Sequence, residues 1–65
     1  MDIRQKNKIH AAVVLEADRE KVKWGIPVFV AASQEEQDEV AMLLARITFS
    51  MVHNLKNGVY ILVSH

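Results

Sequence analysis

Histidines are the side chains in this sequence best suited to chemistry, and there are three of them: His10, His53 and His65. Imidazole nitrogen binds zinc and other transition metals, and local metal motifs place their ligands within a few residues of one another. These histidines lack such a spacing, and the sequence contains no cysteine. A metal site would have to be assembled by the fold, so the sequence predicts no metal ion and no cofactor.

The remaining polar residues do not indicate catalysis. The serines lie at a helix start, inside a predicted helix and directly before a histidine, and none of these contexts defines a nucleophile with its base; they are Ser33, Ser50 and Ser64. Neither Gly25 nor Gly58 begins a helix, so the sequence has no glycine-rich loop for phosphate. We therefore expect a protein that is not an enzyme.

The chain is short and balanced in charge. Its 65 residues are enough for one domain, and a domain of this size buries only about 60% of the surface that its unfolded chain exposes. Without a disulfide, packing or oligomerisation must supply the missing stability. Eight basic and eight acidic side chains are scattered along the sequence, which argues against binding to nucleic acid or to an anionic membrane.

The N-terminal residues 1–8 are polar and mixed in charge apart from Ile3, so we expect a tail that precedes a single domain of residues 9–65. This start lacks the apolar core of a signal peptide, and no apolar run reaches the roughly 20 residues that a membrane-spanning helix requires. We expect a cytoplasmic protein that does not insert into a membrane.

A helix that begins at Gln34 is the element around which the other predicted elements are arranged. Ser33 and Glu36 have the spacing of a capping box, in which each side chain accepts a hydrogen bond from the other residue's backbone N–H. Carboxylates crowd the first turns, where they meet the positive end of the helix dipole: Glu35, Glu36, Asp38 and Glu39.

Two apolar strips run along this helix. The first has the spacing of a face that a sheet would cover, and we expect Leu44 and Ile47 to lie in the helix-to-sheet core; the strip comprises Val40, Leu43, Leu44, Ile47, Met51 and Leu55. The second strip lies on the other side and comprises Ala41, Met42, Ala45, Phe49 and Val52. A helix that is apolar nearly all round requires two coverings.

The C-terminal end of the helix has two interpretations. The first strip continues without a glycine or proline, which favours one long helix that ends near Asn57. In the competing interpretation the helix stops near Arg46 and residues 47–55 form a strand, since Asn57-Gly58 before another strand is a strong hairpin signal. We prefer the long helix because it extends the strip.

Three segments are predicted to be strands. Residues 9–17 and 59–64 are apolar on both faces, which favours inner positions in a sheet, whereas Pro27 confines the strand of residues 26–31 to an edge or itself to the first position. Residues 18–25 read as a loop because they are charged and end in glycine. The order β-β-α-β predicts a small two-layer α+β domain, with one long helix on a three-stranded sheet.

One helix covers only one face of such a sheet, so apolar surface is left over. A second copy or another protein would have to cover the rest, and we therefore expect a homo-oligomer. We predict that Met42, Phe49 and Val52 on the second strip serve this association. We also predict that Trp24 is an interface residue. The alternative is that its side chain folds over the core of its own domain.

Three stretches resemble a family of very small proteins from spore-forming Firmicutes: GIPVFVA at 25–31, EEQDEVA at 35–41 and HNLKNGVYILVSH at 53–65. The family is described as the capping complex subunit for YIEGIA, and the resemblance extends over most of the chain from Ile9 onward. It implies an accessory subunit of a complex connected with sporulation, peripheral at the membrane, with a multi-span membrane protein as its partner. The resemblance implies no catalytic residue.

Two functions from different classes follow. In the first, the chain is a non-catalytic interaction subunit that self-associates and docks on the membrane protein. In the second, it is a small-ligand or metal-binding domain with its site at a homodimer interface, built from the histidines and the same apolar surfaces. Metal analysis of the untagged protein distinguishes the two.

Overall fold

A computed structural model describes residues 8–23 and 25–65. The elements follow in the order β1 (Lys8–Leu15), a short 3-10 helix (Glu16–Lys21), β2 (Val28–Ala31), α1 (Gln34–Thr48), β3 (Met51–Asn54) and β4 (Val59–Ser64). The predicted α+β class with one main helix is confirmed. The predicted tail of residues 1–8 falls outside the described residues, except for Lys8, which begins β1.

The strands form one mixed sheet of four strands, in the order β2-β1-β4-β3, so the prediction of three strands is wrong. Val13 of β1 lies opposite Phe29 of the parallel strand β2 and opposite Tyr60 of the antiparallel strand β4. β3 and β4 form an antiparallel hairpin in which His53 lies opposite Ile61. β1 and β4 occupy the inner positions and β2 follows Pro27 at an edge, as their sequences indicate.

The prediction of one long helix is wrong because α1 ends at Thr48. Phe49 adopts the left-handed conformation, with φ of 54°, and its backbone N–H bonds to the Ala45 carbonyl. The Thr48 hydroxyl donates to the Leu44 carbonyl at 2.8 Å and lies 2.6 Å from the Ser50 hydroxyl. Side-chain hydrogen bonds and a left-handed cap therefore end the helix without a glycine. The competing interpretation, a strand followed by an Asn-Gly hairpin, is closer to the structure.

The start of α1 agrees with the predicted cap. The Ser33 hydroxyl accepts from the Glu36 backbone N–H at 3.2 Å. Glu36 Oε1 accepts from the backbone N–H of Ala32 at 2.7 Å, one residue before the cap, rather than from Ser33 itself. Both bonds occupy backbone donors that have no partner within the helix.

The face of α1 that packs on the sheet shares only Val40 and Leu44 with the predicted strip. Gln37 and Ala41 are each only 1% exposed, and Ala41 packs in a core cluster with Ala11, Val13, Tyr60 and Leu62, with Val40, Leu44 and Ala45 at its margin. Leu43 and Ile47 are 57% and 71% exposed. The expected core position of Ile47 is therefore wrong: the helix presents its small residues and one amide to the sheet, which lets it approach closely.

The other face of the sheet is covered in part by the connection between β1 and β2. Val22 is 7% exposed, and it forms a second core cluster with Ala12, Val14 and Val59, against which Ile26, Val28 and Ile61 pack. The sequence predicts that a second copy or another protein covers this face. The charged segment predicted to be a plain loop supplies part of the covering, because its few apolar residues fold back on the sheet.

Candidate functional site

An open groove of about 410 Å³ lies between helix α1 and the edge strand β3. Its lining is mostly apolar and comprises Asp38, Ala41, Met42, Ala45, Val52, Asn54 and Tyr60. Met42 and Val52, two of the predicted interface residues, lie on its opposite walls and are 56% and 38% exposed. They were predicted to share a strip of one helix, but the groove brings them together from two elements.

Polar groups connect the two walls at the base of the groove. The Tyr60 hydroxyl on β4 donates a hydrogen bond to Asp38 Oδ1 on α1. This bond exists only while the phenol keeps its proton, and it raises the pKa of Tyr60 above the ordinary value. The pair fixes the helix against the sheet, and sequence analysis missed it because neither residue belongs to a motif.

Phe49 lies at the junction between α1 and β3, where the elements that supply the two walls of the groove meet. Its side chain is 90% exposed, and its left-handed φ of 54° is unfavourable for a bulky residue. A glycine at this position would avoid both the exposed ring and the backbone cost of roughly 1–2 kcal/mol. The fold of the protomer therefore gains no buried apolar surface from this ring.

A family model described as "Capping complex subunit for YIEGIA" matches residues 6–65, nearly the whole chain. The chain belongs to this family. The match includes the three stretches on which the resemblance was noted, and it extends across every element of the fold. The chain matches no curated protein and no solved structure.

The strand β3 is an edge of the sheet, and among residues 8–23 and 25–65 it pairs only with β4. Met51, Val52 and Leu55 in and after this strand are 61%, 38% and 44% exposed. An edge with unpaired backbone groups and apolar side chains is a template for pairing with another chain. No helix in the same described residues is long and apolar enough to cross a membrane.

The remaining candidate residues are Trp24 and the three histidines. Trp24 lies outside the described residues. His53 and His65 come together, with their Nε2 atoms 3.0 Å apart. His10 on β1 has a buried Nε2 for which the described part of the chain offers no hydrogen-bond partner. In that part, no three His, Asp or Glu side chains form a group that could hold a metal ion.

Proposed function

We propose that this chain is a non-catalytic interaction subunit that self-associates and docks on the YIEGIA membrane protein. One observation carries the proposal: the groove between α1 and β3, the free edge of β3 and the exposed ring of Phe49 form an apolar region at one side of the fold. Apolar surface of this kind marks binding sites for other proteins. The family name describes a subunit of a complex, which would bury such a region.

The edge of β3 is the surface for a second copy. Two β3 strands that pair antiparallel about a twofold axis would satisfy the outward backbone groups of both and continue the sheet through the dimer. Met42, Val52 and Phe49 would then lie at or beside the contact. A domain this small gains stability from such a partner, because its own core is limited.

The outer surface of α1 is the proposed binding surface for the membrane protein. Leu43 and Ile47 are four residues apart and therefore neighbours on the helix, and neither lines the groove. A β3-to-β3 dimer would leave them accessible. We further propose that the chain is cytoplasmic, that its partner holds it at the membrane, and that it has a role in sporulation. These points rest on the family resemblance.

The polar groups of the groove support a non-catalytic role. The Tyr60 hydroxyl and the Asp38 carboxylate are bonded to each other. The Asn54 side-chain oxygen accepts from the Lys56 backbone N–H at 2.7 Å and shapes the turn after β3. The polar side chains of the groove therefore form hydrogen bonds that stabilise the fold.

Assembly and partner binding can be tested in one set of variants. At micromolar concentration the wild-type chain should sediment faster than a monomer, and Val52→Lys should shift it to the monomer because a lysine on an edge strand opposes pairing. Val30→Lys is the matched control, since Val30 is 45% exposed on the opposite edge strand. Ile47→Glu should retain the dimer and lose binding to the detergent-solubilised YIEGIA membrane protein.

Three results would each overturn part of the proposal. A wild-type chain that sediments as a monomer at every concentration would contradict self-association. Equal sedimentation of Val52→Lys and Val30→Lys would show that the β3 edge is not the interface. Undiminished binding of Ile47→Glu to the membrane protein would exclude the outer surface of α1. Circular dichroism of each variant shows whether the protomer is still folded.

A further inference from the structure

The groove between α1 and β3 lies beside an aromatic ring that does not occupy it. Phe49 caps the end of α1, and its side chain is 90% exposed, so the ring does not pack in the groove of its own chain. A cavity of about 150 Å³ is enough to hold a benzene molecule. The groove, with about 410 Å³ and a mostly apolar lining, therefore has room for a phenyl ring.

We propose that the Phe49 ring of each copy inserts into the groove of the other copy when two chains associate through β3. This inference rests on the self-association proposed above and adds what occupies the groove. The contact is reciprocal, because a twofold dimer uses the same surface of both copies. Each groove is then completed by a residue of the second copy.

The size of the β3 edge supports a contact that extends beyond the strand. β3 has only four residues, which span about 13 Å. A stable interface buries roughly 800 Å² on each partner and involves about 20–30 residues a side. One inserted aromatic side chain buries about 150–250 Å². Strand pairing alone is therefore too small, and the adjoining groove and ring supply apolar area that it lacks.

The backbone of β3 limits how two copies can pair. The Leu55 N–H, directly after the strand, bonds to the Val59 carbonyl at the start of β4 at 3.0 Å. Because backbone groups point alternately to the two sides of a strand, those of Val52 and Asn54 point away from β4. A twofold axis at Val52 then forms a hydrogen-bonded pair between the Val52 residues of the two copies.

This register brings the ring to the groove. Along two antiparallel strands centred on Val52, Phe49 comes level with Leu55 of the second copy and lies next to its Asn54. Asn54 and Val52 both line the groove, and the axis is perpendicular to the sheet, so both α1 helices lie on the same face. Met42 forms the opposite wall, and its thioether makes favourable contacts with aromatic rings.

The contact is tested by NMR on a mixture of ¹³C-labelled and unlabelled full chains, in which an isotope-filtered experiment detects only contacts between copies. We expect contacts from the Phe49 ring protons to the methyl groups of Met42 and Val52. A mixture that is dimeric by sedimentation but lacks these contacts would overturn the inference and leave the proposed self-association intact. A chain that is monomeric at every concentration would overturn both.

A double-mutant cycle provides a second measurement. Phe49→Ala should weaken dimerisation at least about tenfold, because the ring is an aromatic anchor in a pocket. Met42→Ala should weaken the wild-type dimer but add little to Phe49→Ala, since the ring that it contacts is already gone.

Leu43→Ala is the matched control for Met42→Ala. The two side chains are 57% and 56% exposed, and Leu43 lies outside the groove. The effects of Leu43→Ala and Phe49→Ala should therefore combine independently. Independent effects of Met42→Ala and Phe49→Ala would overturn the inference, and circular dichroism shows that each variant is folded.

Discussion

Gln37 lies in the middle of the helix-to-sheet contact and donates from Nε2 to the Val13 carbonyl of β1 at 2.9 Å. The same nitrogen donates to the Gly58 carbonyl at 3.0 Å, and the side chain is only 1% exposed. A buried polar group is held in one orientation because the alternative leaves it without partners. Gln37 therefore fixes the rotation of α1 on the sheet and, with it, the outward direction of Leu43 and Ile47.

Replacing Gln37 with leucine should destabilise the fold by about 1–3 kcal/mol, because two hydrogen bonds are lost and backbone carbonyls remain buried. Glu39→Leu, at an exposed position of the same helix, should change the free energy of unfolding by less than about 0.5 kcal/mol. Urea denaturation followed by circular dichroism measures both. Equal midpoints for the two variants would contradict this role of Gln37.

Local signals predicted the helix start and the inner strands, because a cap and an apolar face are visible within a few residues. The core face of α1 was not predictable in this way, since Gln37 reads as a surface residue until its partners on β1 and in the β3–β4 turn are in place. The helix end depends on the Thr48 and Ser50 hydroxyls and on a left-handed Phe49. No glycine or proline marks this end.

The candidate site was predictable only in part for the same reason. The sequence places Met42 and Val52 on one apolar strip, but they meet across a groove because the chain turns back after Thr48. The contact of His53 with His65 depends on the β3–β4 register. That register could have been deduced only from the hairpin interpretation, in which strand alternation assigns side chains to faces.

A side chain at Gly58 should destabilise the fold. Its φ is +90°, and a Cβ there would lie 1.8 Å from Asp18 Oδ2. Asp18 would have to move and would break its 2.8 Å contact with Lys21, whose ammonium also donates to the Asn57 carbonyl at 2.8 Å. Asp18, Lys21 and Asn57 thus link the segment between β1 and β2 to the β3–β4 turn.

Gly25 offers the matched control, because its φ is +75° and nothing lies within 4 Å of an added Cβ. Gly25→Ala should cost about 1 kcal/mol from backbone strain alone. Gly58→Ala should cost at least about 1 kcal/mol more, since a displaced side chain adds to the strain. Thermal denaturation compares the two, and a Gly58→Ala variant as stable as Gly25→Ala would show that Asp18 moves freely.

The Tyr60–Asp38 pair predicts a dependence of stability on alkaline pH. The hydrogen bond to the Asp38 carboxylate raises the pKa of Tyr60 above 10.0, so the unfolded chain loses this proton first. The stabilisation is complete below about pH 10 and is lost as the pH rises through the folded-state pKa. The free energy of unfolding should fall as the pH rises above about 10 in the wild type and less steeply in Tyr60→Phe. Parallel curves would contradict the assignment.

Leu44 and Ile47 should differ in their contribution to stability. Leu44 packs at the margin of the core cluster, so Leu44→Ala should cost about 2 kcal/mol. Ile47 is 71% exposed, and Ile47→Ala should change stability by less than about 1 kcal/mol. Denaturant midpoints of the two variants give the comparison, and a larger loss for Ile47→Ala would restore the face that the sequence indicated.

Phe49 should separate folding from assembly. Its ring is 90% exposed, so Phe49→Glu should leave the helix and the sheet intact and weaken association, because a charge would have to be desolvated at the contact. Phe49→Gly should weaken association as well, since the ring is lost. The glycine variant should also stabilise the protomer by about 1 kcal/mol, because it relieves the left-handed backbone.

The opposite signs of these two effects in Phe49→Gly make the test decisive. Association contributes to apparent stability, so denaturation is measured at the lowest workable concentration and sedimentation at micromolar concentration. A glycine variant that is more stable and yet less associated is the expected result, because no role of the ring in the protomer core would give this combination. A variant that associates as the wild type does would exclude Phe49 from the interface, and loss of the helix at every concentration would place its ring in the core.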